Sequence, residues 1–564
     1  MADYFIDANR GNDANAGTSR DAAWKTLEKF RTVAVAGGIA AGSNVLLESS
    51  SVFSESRYLR FGTGTTELLN GTATARTTIG KYDYSSQYSG KPRLNWVVTP
   101  VSGDWVFDAT FGLWYISPTI HYSNNNQQWG GHPRVTINGR LCPIVRYQSA
   151  SFTRGSLPSQ DYEVFSYEAT QPGRLYVYSP AGQNPSAYYG AGAIKASSTQ
   201  RGIFSFSRCG SYLTIQDLEL YESGKLVTIY NDNVGLVDVD GFTLRNTSGG
   251  NVGVLADFTT LDATRLITGL RIEGNQIVGA GGYGLHLAGS FRNVRIRNNR
   301  HVDGNLARSD GGGVYMQTNS SLVTEDVEIS DNYYERMAAN TKGSESDGCG
   351  VYLESRTSTV RVLRNVVKDS YMAFQDNSGK GNTWAGNVAM NCDRLIKISD
   401  ADNNCVGGQT SKIWNNTAYL RGNYWQTYST NDVGMMALKG ASVAANLYTY
   451  DVRNNVLLMS KADPARANAT AFAIESGTTF NQSNNAVFGW DKQRTQPGAT
   501  TELGLSGAIT SDPLLSAVGR PLAGSPLIGA GINLGPMLDA SCKRFKRTPS
   551  IGAYEYISAR SARA

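Results

Sequence analysis

Charge is scarce in this sequence: Asp, Glu, Lys and Arg make up 18% of 564 residues. A chain so poor in Glu and Lys is not a helical bundle, and with 40% hydrophobic residues it is not a disordered one. The net charge of +5 is spread over the whole length, too dilute for a nucleic-acid partner. The one basic cluster, Lys543, Arg544, Lys546 and Arg547, reads as a solvated turn. Four histidines and six scattered cysteines, with no CxxC and no Cys/His ligand spacing, offer no metal centre. No apolar run reaches the ~18 residues of a membrane helix, so no membrane insertion is expected. The opening MADYFID has neither a basic segment nor an apolar signal core. The expectation is export without a classical signal, as when a virion leaves by lysis, or a signal already removed.

Glycine, by contrast, is abundant at 61 residues, and asparagine is frequent; both tolerate positive φ and suit a fold of many tight turns. One motif recurs: a short β-rich run, then Asn, then apolar residues. It reads LRIEGNQIV, VRIRNNRHV, VEISDNYYE, VRVLRNVVK, NTWAGNVAM, KIWNNTAYL and DVRNNVLLM, with Asn275, Asn299, Asn332, Asn365, Asn387, Asn416 and Asn455 in the shared position. LTIQDLELY and VDVDGFTLR fit the same frame with Leu218 and Phe242 there, and SNNAVFG supplies Asn485 as a last copy. Successive positions lie 22 to 39 residues apart. Each run alternates apolar and polar as a half-buried strand does, and no long helical pattern separates them. This spacing predicts a parallel β-helix, in which no turn buries its own face and each stacks on its neighbours. The repeated Asn reads as structural: αL geometry at a corner, with amides bonded from rung to rung.

Each rung carries a further strand: YGLHLAG, GGVYMQT, CGVYLES, MAFQDNS and RLIKISD. Aligned on Gly284, Gly313, Gly350, Ala373 and Leu395, the next residue is always apolar: Leu285, Val314, Val351, Phe374 and Ile396. Period two points these inward and the following residues outward: His286, Tyr315, Tyr352, Gln375 and Lys397. Two positions later the outward row is Ala288, Gln317, Glu354, Asn377 and Ser399. The result is a polar and aromatic ladder on one sheet, with rungs ~4.8 Å apart. Two of these strands follow long turns that end alike, SDGGGVYMQT from Ser309 and SDGCGVYLES from Ser346. Long loops on a rigid scaffold are where function concentrates.

Residues 94–200 break the repeat. GLWYISPTIHY, RVTINGR, DYEVFSYE and GRLYVYSP are rich in aromatics and turns, and read as an antiparallel β-rich insertion. Its aromatics form either a core or faces on which sugar rings stack.

With these features the chain resembles the right-handed parallel β-helix proteins of the pectate-lyase-like superfamily. YFIDANRGNDANAGTSRDAAWKTLEKF is similar to the family's N-terminal cap. DPLL from Asp512, AGSPLIGAG from Ala523 and SIGAYEY from Ser550 resemble its closing segment. The resemblance implies an all-β chain in four parts. Residues 1–93 hold the cap and first turns, 94–200 the insertion, 201–500 the β-helix body and 501–564 the closing segment. It covers nearly the whole chain and is specific for fold, since the family holds lyases, hydrolases, epimerases and phage tailspike depolymerases. The pectate lyase and polygalacturonase signatures are not evident, so no catalytic residue carries over. What the resemblance implies is a polysaccharide partner and an extracellular or virion-associated place, with a homotrimer if the chain is tailspike-like. The rival class is a non-catalytic adhesin or receptor-binding fibre.

Glycoside hydrolysis pairs an acid with a base or nucleophile, at ~5–5.5 Å for retention and ~6.5–9.5 Å for inversion. Asp310 and Asp347 open equivalent strands on adjacent rungs, and Glu354 stands on the ladder; these three are the candidate catalytic residues. The bland alternative for both Asp residues is turn chemistry before Gly. A lyase acting on a uronate needs a base and a cation instead. Tyr315, Tyr352 or His286 would take the proton, and Lys342, Arg308, Lys397 or Arg356 would neutralise the carboxylate. With Gln317 and Gln375 these complete the candidate substrate-binding set. Calcium at Asp303, Asp310 and Asp347 has no EF-hand-like loop or dense Asp cluster behind it, so no cofactor is expected.

Overall fold

The computed structural model describes residues 2–557 except 55–58, 62–68, 86–89, 96, 117–134, 143, 148–160, 163, 168–173, 181, 198–201, 207–208, 222–224, 232–238, 251–253, 261–265, 281, 305–309, 319–323, 338–346, 355–356, 378–380, 393, 400–408, 421–433, 439–447, 460–469, 475–477, 491, 496–504 and 506. The chain divides into two compact units: residues 1–290, 300–315 and 338–348 form one, and residues 291–299, 316–337 and 349–564 the other.

The first unit winds through three parallel sheets. Its first sheet runs Asp3–Ile6, Asn44–Glu48, Thr77–Tyr82, Leu213–Gln216, Thr243–Arg245 and Arg271–Glu273. The second holds Val52–Ser54, Arg93–Asn95, Glu219–Tyr221, Ser248–Gly250, Gln276–Val278 and Arg300–Val302. The third holds Leu59–Phe61, Phe204–Phe206, Lys225–Asn231, Val254–Thr260 and Leu285–Ala288. A helix, Leu27–Val35, is capped by the Thr26 hydroxyl, which accepts from the Lys29 amide, and it buries Leu27, Phe30 and Ala34. Phe30 begins a file of core rings, Phe30, Phe61, Phe206, Phe242 and Phe258, with successive centroids 5.3 to 6.2 Å apart.

The insertion is β-rich, and it has one parallel pair among antiparallel ones. Val135–Ile137 and Arg140–Cys142 form a hairpin whose turn residues, Asn138 and Gly139, both have positive φ, as a two-residue turn on right-twisted strands requires. Ile194–Ser197 and Val97–Val98 extend that sheet. A second sheet runs Ile144–Tyr147, Val164–Tyr167, Arg174–Val177, Leu113–Ile116 and Trp105–Asp108, and its first pair is parallel. The core between the sheets includes Trp105, Ile116, Val135, Ile137, Leu175 and Ile194. At Trp105, therefore, the aromatic serves as core, with its indole N–H donating to the Ser186 hydroxyl at 2.7 Å.

His301 lies in the strand Arg300–Val302, buried against Gly284, where a Cβ would stand 2.2 Å from its Nδ1. Burial pushes the His301 ring down to about 3. The unfolded chain titrates near 6.5, so below that pH it binds a proton that the folded chain refuses. Stability from this group is full above about pH 6.5 and falls as pH drops toward 3. The first unit is expected to lose on the order of a few kcal/mol over that window. Urea unfolding of His301→Leu across the same pH range should show a flatter dependence than the parent protein.

The second unit repeats the three sheets. Its first sheet runs from Phe291–Arg297 through Thr324–Ser330, Arg361–Leu363, Thr383–Ala385, Thr410–Trp414 and Tyr448–Arg453 to Thr478–Ser483. The second runs from Tyr333–Glu335 through Val366–Lys368, Val388–Met390, Thr417–Leu420 and Val456–Met459 to Ala486–Phe488. In the third, residues from Cys349 in Asp347–Glu354 pair with Met372–Asn377, followed by Arg394–Ser399, Gly434–Leu438, Thr470–Ile474 and Lys492–Thr495.

Between the first and second sheets runs the asparagine ladder. Asn299, Asn332, Asn365, Asn387, Asn416, Asn455 and Asn485 are all buried. Each side-chain oxygen from Asn332 onward accepts both the backbone N–H and the side-chain N–H of the Asn one rung before. The turn geometry differs from the sequence expectation. The ladder Asn is not the αL residue; its predecessor is, as at Asn298, Asp331, Arg364, Gly386, Asn415, Asn454 and Asn484. One residue bends the chain and the next bonds the rungs. The frame also slips in one early run. Phe242 precedes the strand Thr243–Arg245, and the ladder position of that rung is Thr247, whose N–H and hydroxyl donate to Asn275 Oδ1 at 3.0 and 2.7 Å. The DG turn before Phe242 imitates the corner in sequence, but it leads into the first sheet rather than out of it.

Three of the αL asparagines have a second task. Asn415, Asn454 and Asn484 donate to the carbonyls of Gly552, Ile532 and Ala530 in the C-terminal segment, at 3.4, 2.8 and 3.0 Å. Asn454 Oδ1 also accepts from the Ile532 amide at 3.0 Å. The segment thereby covers Val456 and Ala486 with Leu527 and Ile551. Asn454→Ala loses both bonds and places a Cβ-bearing residue without a local hydrogen bond at φ 54°. A destabilisation of about 2–4 kcal/mol is expected, and Asn454→Gly, free of the φ cost, should recover about 1 kcal/mol of it. Urea unfolding of the two variants measures the difference.

Candidate functional site

In the second unit, register sets the outward row of the third sheet. Tyr352 lies beside Gln375 and Gln375 beside Lys397, while Glu354 lies beside Asn377 and Asn377 beside Ser399. Inward neighbours Val351, Phe374 and Ile396 fill the core. The outward row is not solvated as a bare sheet face would be: Gln375 is 1% exposed and Tyr352 3%, with Glu354 and Lys397 half-buried.

Buried polar groups need partners, and here they find one another. The Tyr352 hydroxyl donates to Glu354 Oε1 at 3.3 Å and accepts from Asn377 Nδ2 at 2.5 Å. Gln375 Nε2 donates to Asn377 Oδ1 at 3.3 Å, and the Ser399 hydroxyl donates to the same oxygen. Because that oxygen takes two donors, both amide orientations are fixed by the network. Every donor runs toward the Glu354 carboxylate. Gln375 Oε1 is left buried with no hydrogen-bond partner among the described residues. An acceptor stranded in this way costs about 1–3 kcal/mol, which a hydroxyl-bearing ligand would remove.

In the first unit the same row carries a second cluster. Asp257 pairs in register with His286. Asp257 Oδ1 accepts from His286 Nδ1 and from the Thr259 hydroxyl, each at 2.8 Å, and Oδ2 accepts from the Lys225 ammonium. The Lys225, Asp257 and His286 side chains are 5%, 9% and 2% exposed. Burial works to raise the Asp257 carboxyl, but Lys225 and then His286 outweigh it and hold it well below the usual carboxylate range. Tyr283 and Tyr315 stack at 4.1 Å between centroids, and each also lies face to face with the His286 ring.

Of the residues singled out from sequence, Tyr352, Glu354 and Gln375 are thus joined in one network with Lys397 beside them, and His286 and Tyr315 share the other cluster. Gln317 is half-buried on its strand. Asp310 and Asp347 open the strands Asp310–Gln317 and Asp347–Glu354. Lys342 and Arg356 lie outside the described residues. Asp303 occupies an αL turn at φ 55°, a structural post. Among the described residues no group of three or more His, Cys, Asp or Glu side chains is placed to hold a metal ion. Sequence reading missed Lys225 and Asp257. The signal was there: VLADFTT, one rung before the first aligned strand, puts Ala256 with Leu285 and Asp257 with His286.

A family model described as a right handed beta helix region matches residues 225–418. A lacto-N-biosidase of Bifidobacterium longum subsp. longum is 37% identical over 89 residues, 16% of this chain and 5% of that protein. The chain thus spans a small part of the length of the curated relative it matches. Among solved structures, XylC in complex with xylose is similar at a TM-score of 0.52 and 11% identity, over 91% of this chain and 87% of that one. The GH136 lacto-N-biosidase of Eubacterium ramulus gives a TM-score of 0.39 at 13% identity, over 85% and 68%. At 11% identity the likeness to XylC speaks for the fold alone.

Proposed function

We propose, from the premise that this chain is a right-handed parallel β-helix protein, that it binds a polysaccharide on the outer face of its third sheet and cleaves it. One observation carries this reading. The outward row of the second unit is a buried polar network directed at Glu354, with the Gln375 oxygen lacking a donor among the described residues. Core packing asks for no such row, since the alternate residues already fill the core. Support comes also from the curated relative, whose name denotes a glycosidase.

Glu354, as the terminal acceptor, takes the part of base or nucleophile. Asp310 and Asp347, in the first unit, are candidate catalytic carboxylates in their own right. Gln375, Tyr352, Lys397 and Gln317 are the proposed substrate contacts in the second unit, and His286 and Tyr315 those in the first; Lys342 and Arg356 lie outside the described residues. The polymer is a bacterial surface or extracellular polysaccharide, and the tailspike-like version of this proposal is a homotrimer on a virion. The test is digestion of capsular, O-antigen and uronic-acid polymers, followed by new reducing ends. Cleavage of at least one polymer is expected. Binding to one with no new ends from any would leave a receptor-binding protein in place of an enzyme.

A further inference from the structure

The first sheet of the second unit carries an outward tryptophan that the core does not claim. Ile413 and Val452 are buried in the core, so period two turns Lys412 and Trp414 outward on one rung and Asp451 and Arg453 on the next. Lys412 lies beside Asp451, and Trp414 beside Arg453. Elsewhere on this sheet arginines are answered across rungs: Arg292 by Glu325, Arg295 by Asp326, and Arg361 by Asp326 and Glu328. Around Trp414 that balance stops. Two cations, Lys412 and Arg453, stand with one carboxylate, Asp451, and the following rung brings the neutral Asn481 and Ser483.

The carboxylate is occupied in a particular way. Asp451 Oδ2 accepts from Trp414 Nε1 at 3.1 Å, and Oδ1 accepts from Arg453 Nε at 2.5 Å. The indole is therefore held in one orientation, half-buried, next to the buried Ala385 of the preceding rung. Among the described residues the Lys412 ammonium has only the indole for a partner, 5.0 Å from the ring centroid. The terminal nitrogens of Arg453 have no hydrogen-bond partner there, because only Nε reaches Asp451. A cation–π contact at an exposed site is weak, so an anion draws Lys412 away at little cost.

We propose that this face is a second, non-catalytic site, and that it takes an acidic saccharide. The indole offers a rigid apolar surface for one face of a sugar ring. Lys412 and Arg453 supply donors for an anionic group, and each Asp451 oxygen keeps acceptor capacity for a hydroxyl. A bare anion has no apolar face for the indole, and a neutral sugar leaves both cations unanswered. The inference goes beyond the reading of the third sheet, since it concerns a different face and no bond is broken there. A second site on the same unit holds a long chain more tightly than either site alone.

The test is binding of the full chain to hyaluronan, teichoic acid and dextran sulfate, which carry carboxylate, phosphate and sulfate. Neutral dextran and a single-stranded oligonucleotide are the comparisons, and affinity electrophoresis at low and high salt is the readout. At least one acidic polymer is expected to bind, more weakly as salt rises. Trp414→Ala should weaken that binding about 10-fold, the order expected for a ring stacked on an aromatic side chain. Lys412→Met should weaken it about 2–5-fold at low salt and little at high salt. Both losses are expected to persist in Gln375→Ala, which alters the third sheet alone. A Trp414 that merely covers Ala385 would lower the melting temperature and leave affinity unmoved. Lys412 is exposed, so its variant decides should Trp414→Ala not fold. Binding that falls in Gln375→Ala and is untouched by either first-sheet variant would overturn the inference and leave the third-sheet reading standing. Preference for dextran or the oligonucleotide over every acidic polymer, or no binding at all, would also overturn it. First-sheet binding by a chain that cleaves no polymer would uphold it and remove the enzyme reading alone.

Discussion

Glu354→Gln is expected to lower kcat for polymer cleavage about 10²–10⁴-fold while leaving binding and folding nearly unchanged. The amide keeps the size of the carboxylate and can still accept from the Tyr352 hydroxyl, which now donates at 3.3 Å. What it loses is the charge toward which Asn377, Gln375 and Ser399 pass their donors. Glu354 is half-buried, so the exchange should cost about 1 kcal/mol of stability or less. Steady-state kinetics with a melting curve separate the two effects. Full activity in Glu354→Gln would move the reactive carboxylates to the first unit, which holds Asp310 and Asp347.

The second large effect is structural. Asn365→Leu is expected to destabilise the second unit by about 3–6 kcal/mol, in the range reserved for broken buried networks. Asn365 Oδ1 accepts from the Asn332 backbone and side-chain amides at 3.1 and 2.9 Å. Its Nδ2 donates to the carbonyls of Ile329 and Leu363 at 2.9 and 3.1 Å and to Asn387 at 3.2 Å. Leucine fills the space and strands the Asn332 N–H and the Ile329 oxygen without water. Asn298→Gly is the control. Asn298 is exposed and sits at φ 56°, which Gly adopts freely, so its cost should stay within about 0.5 kcal/mol. Urea unfolding of both variants checks the contrast. Equal, small effects would mean that the ladder is decoration rather than support.

The ladder was legible because a chain that stacks rungs must write the same corner each time, and Asn is the residue that can bridge rungs with one amide. The division of labour at the corner was not legible, since the αL position is filled by Asn, Asp, Arg or Gly as its outer contacts dictate. Asn415, Asn454 and Asn484 owe their identity to a segment more than 40 residues distant, which no local pattern announces. Phe242 misled because apolar alternation is common to every run and the Asp240–Gly241 turn imitates a corner, and only pairing tells which sheet follows. The outward row of the third sheet could be read by period two. Its burial, and the direction of its hydrogen bonds, could not, because those depend on atoms brought together from different rungs. Asp257 was missed for a simpler reason: with Ala256 before it and Phe258 after it, its rung lacks the Gly-x-Gly entry that drew attention to its neighbours.

The central claim is that the outer face of the third sheet holds the sugar chain. The most direct measurement is a crystal structure of Glu354→Gln soaked with an oligosaccharide of the polymer that the parent protein cleaves. The predicted result is a sugar on that face, with a hydroxyl within hydrogen-bond distance of Gln375 Oε1. A sugar bound instead to the aromatics of the 94–200 insertion, with the Gln375 oxygen still without a donor, would contradict it.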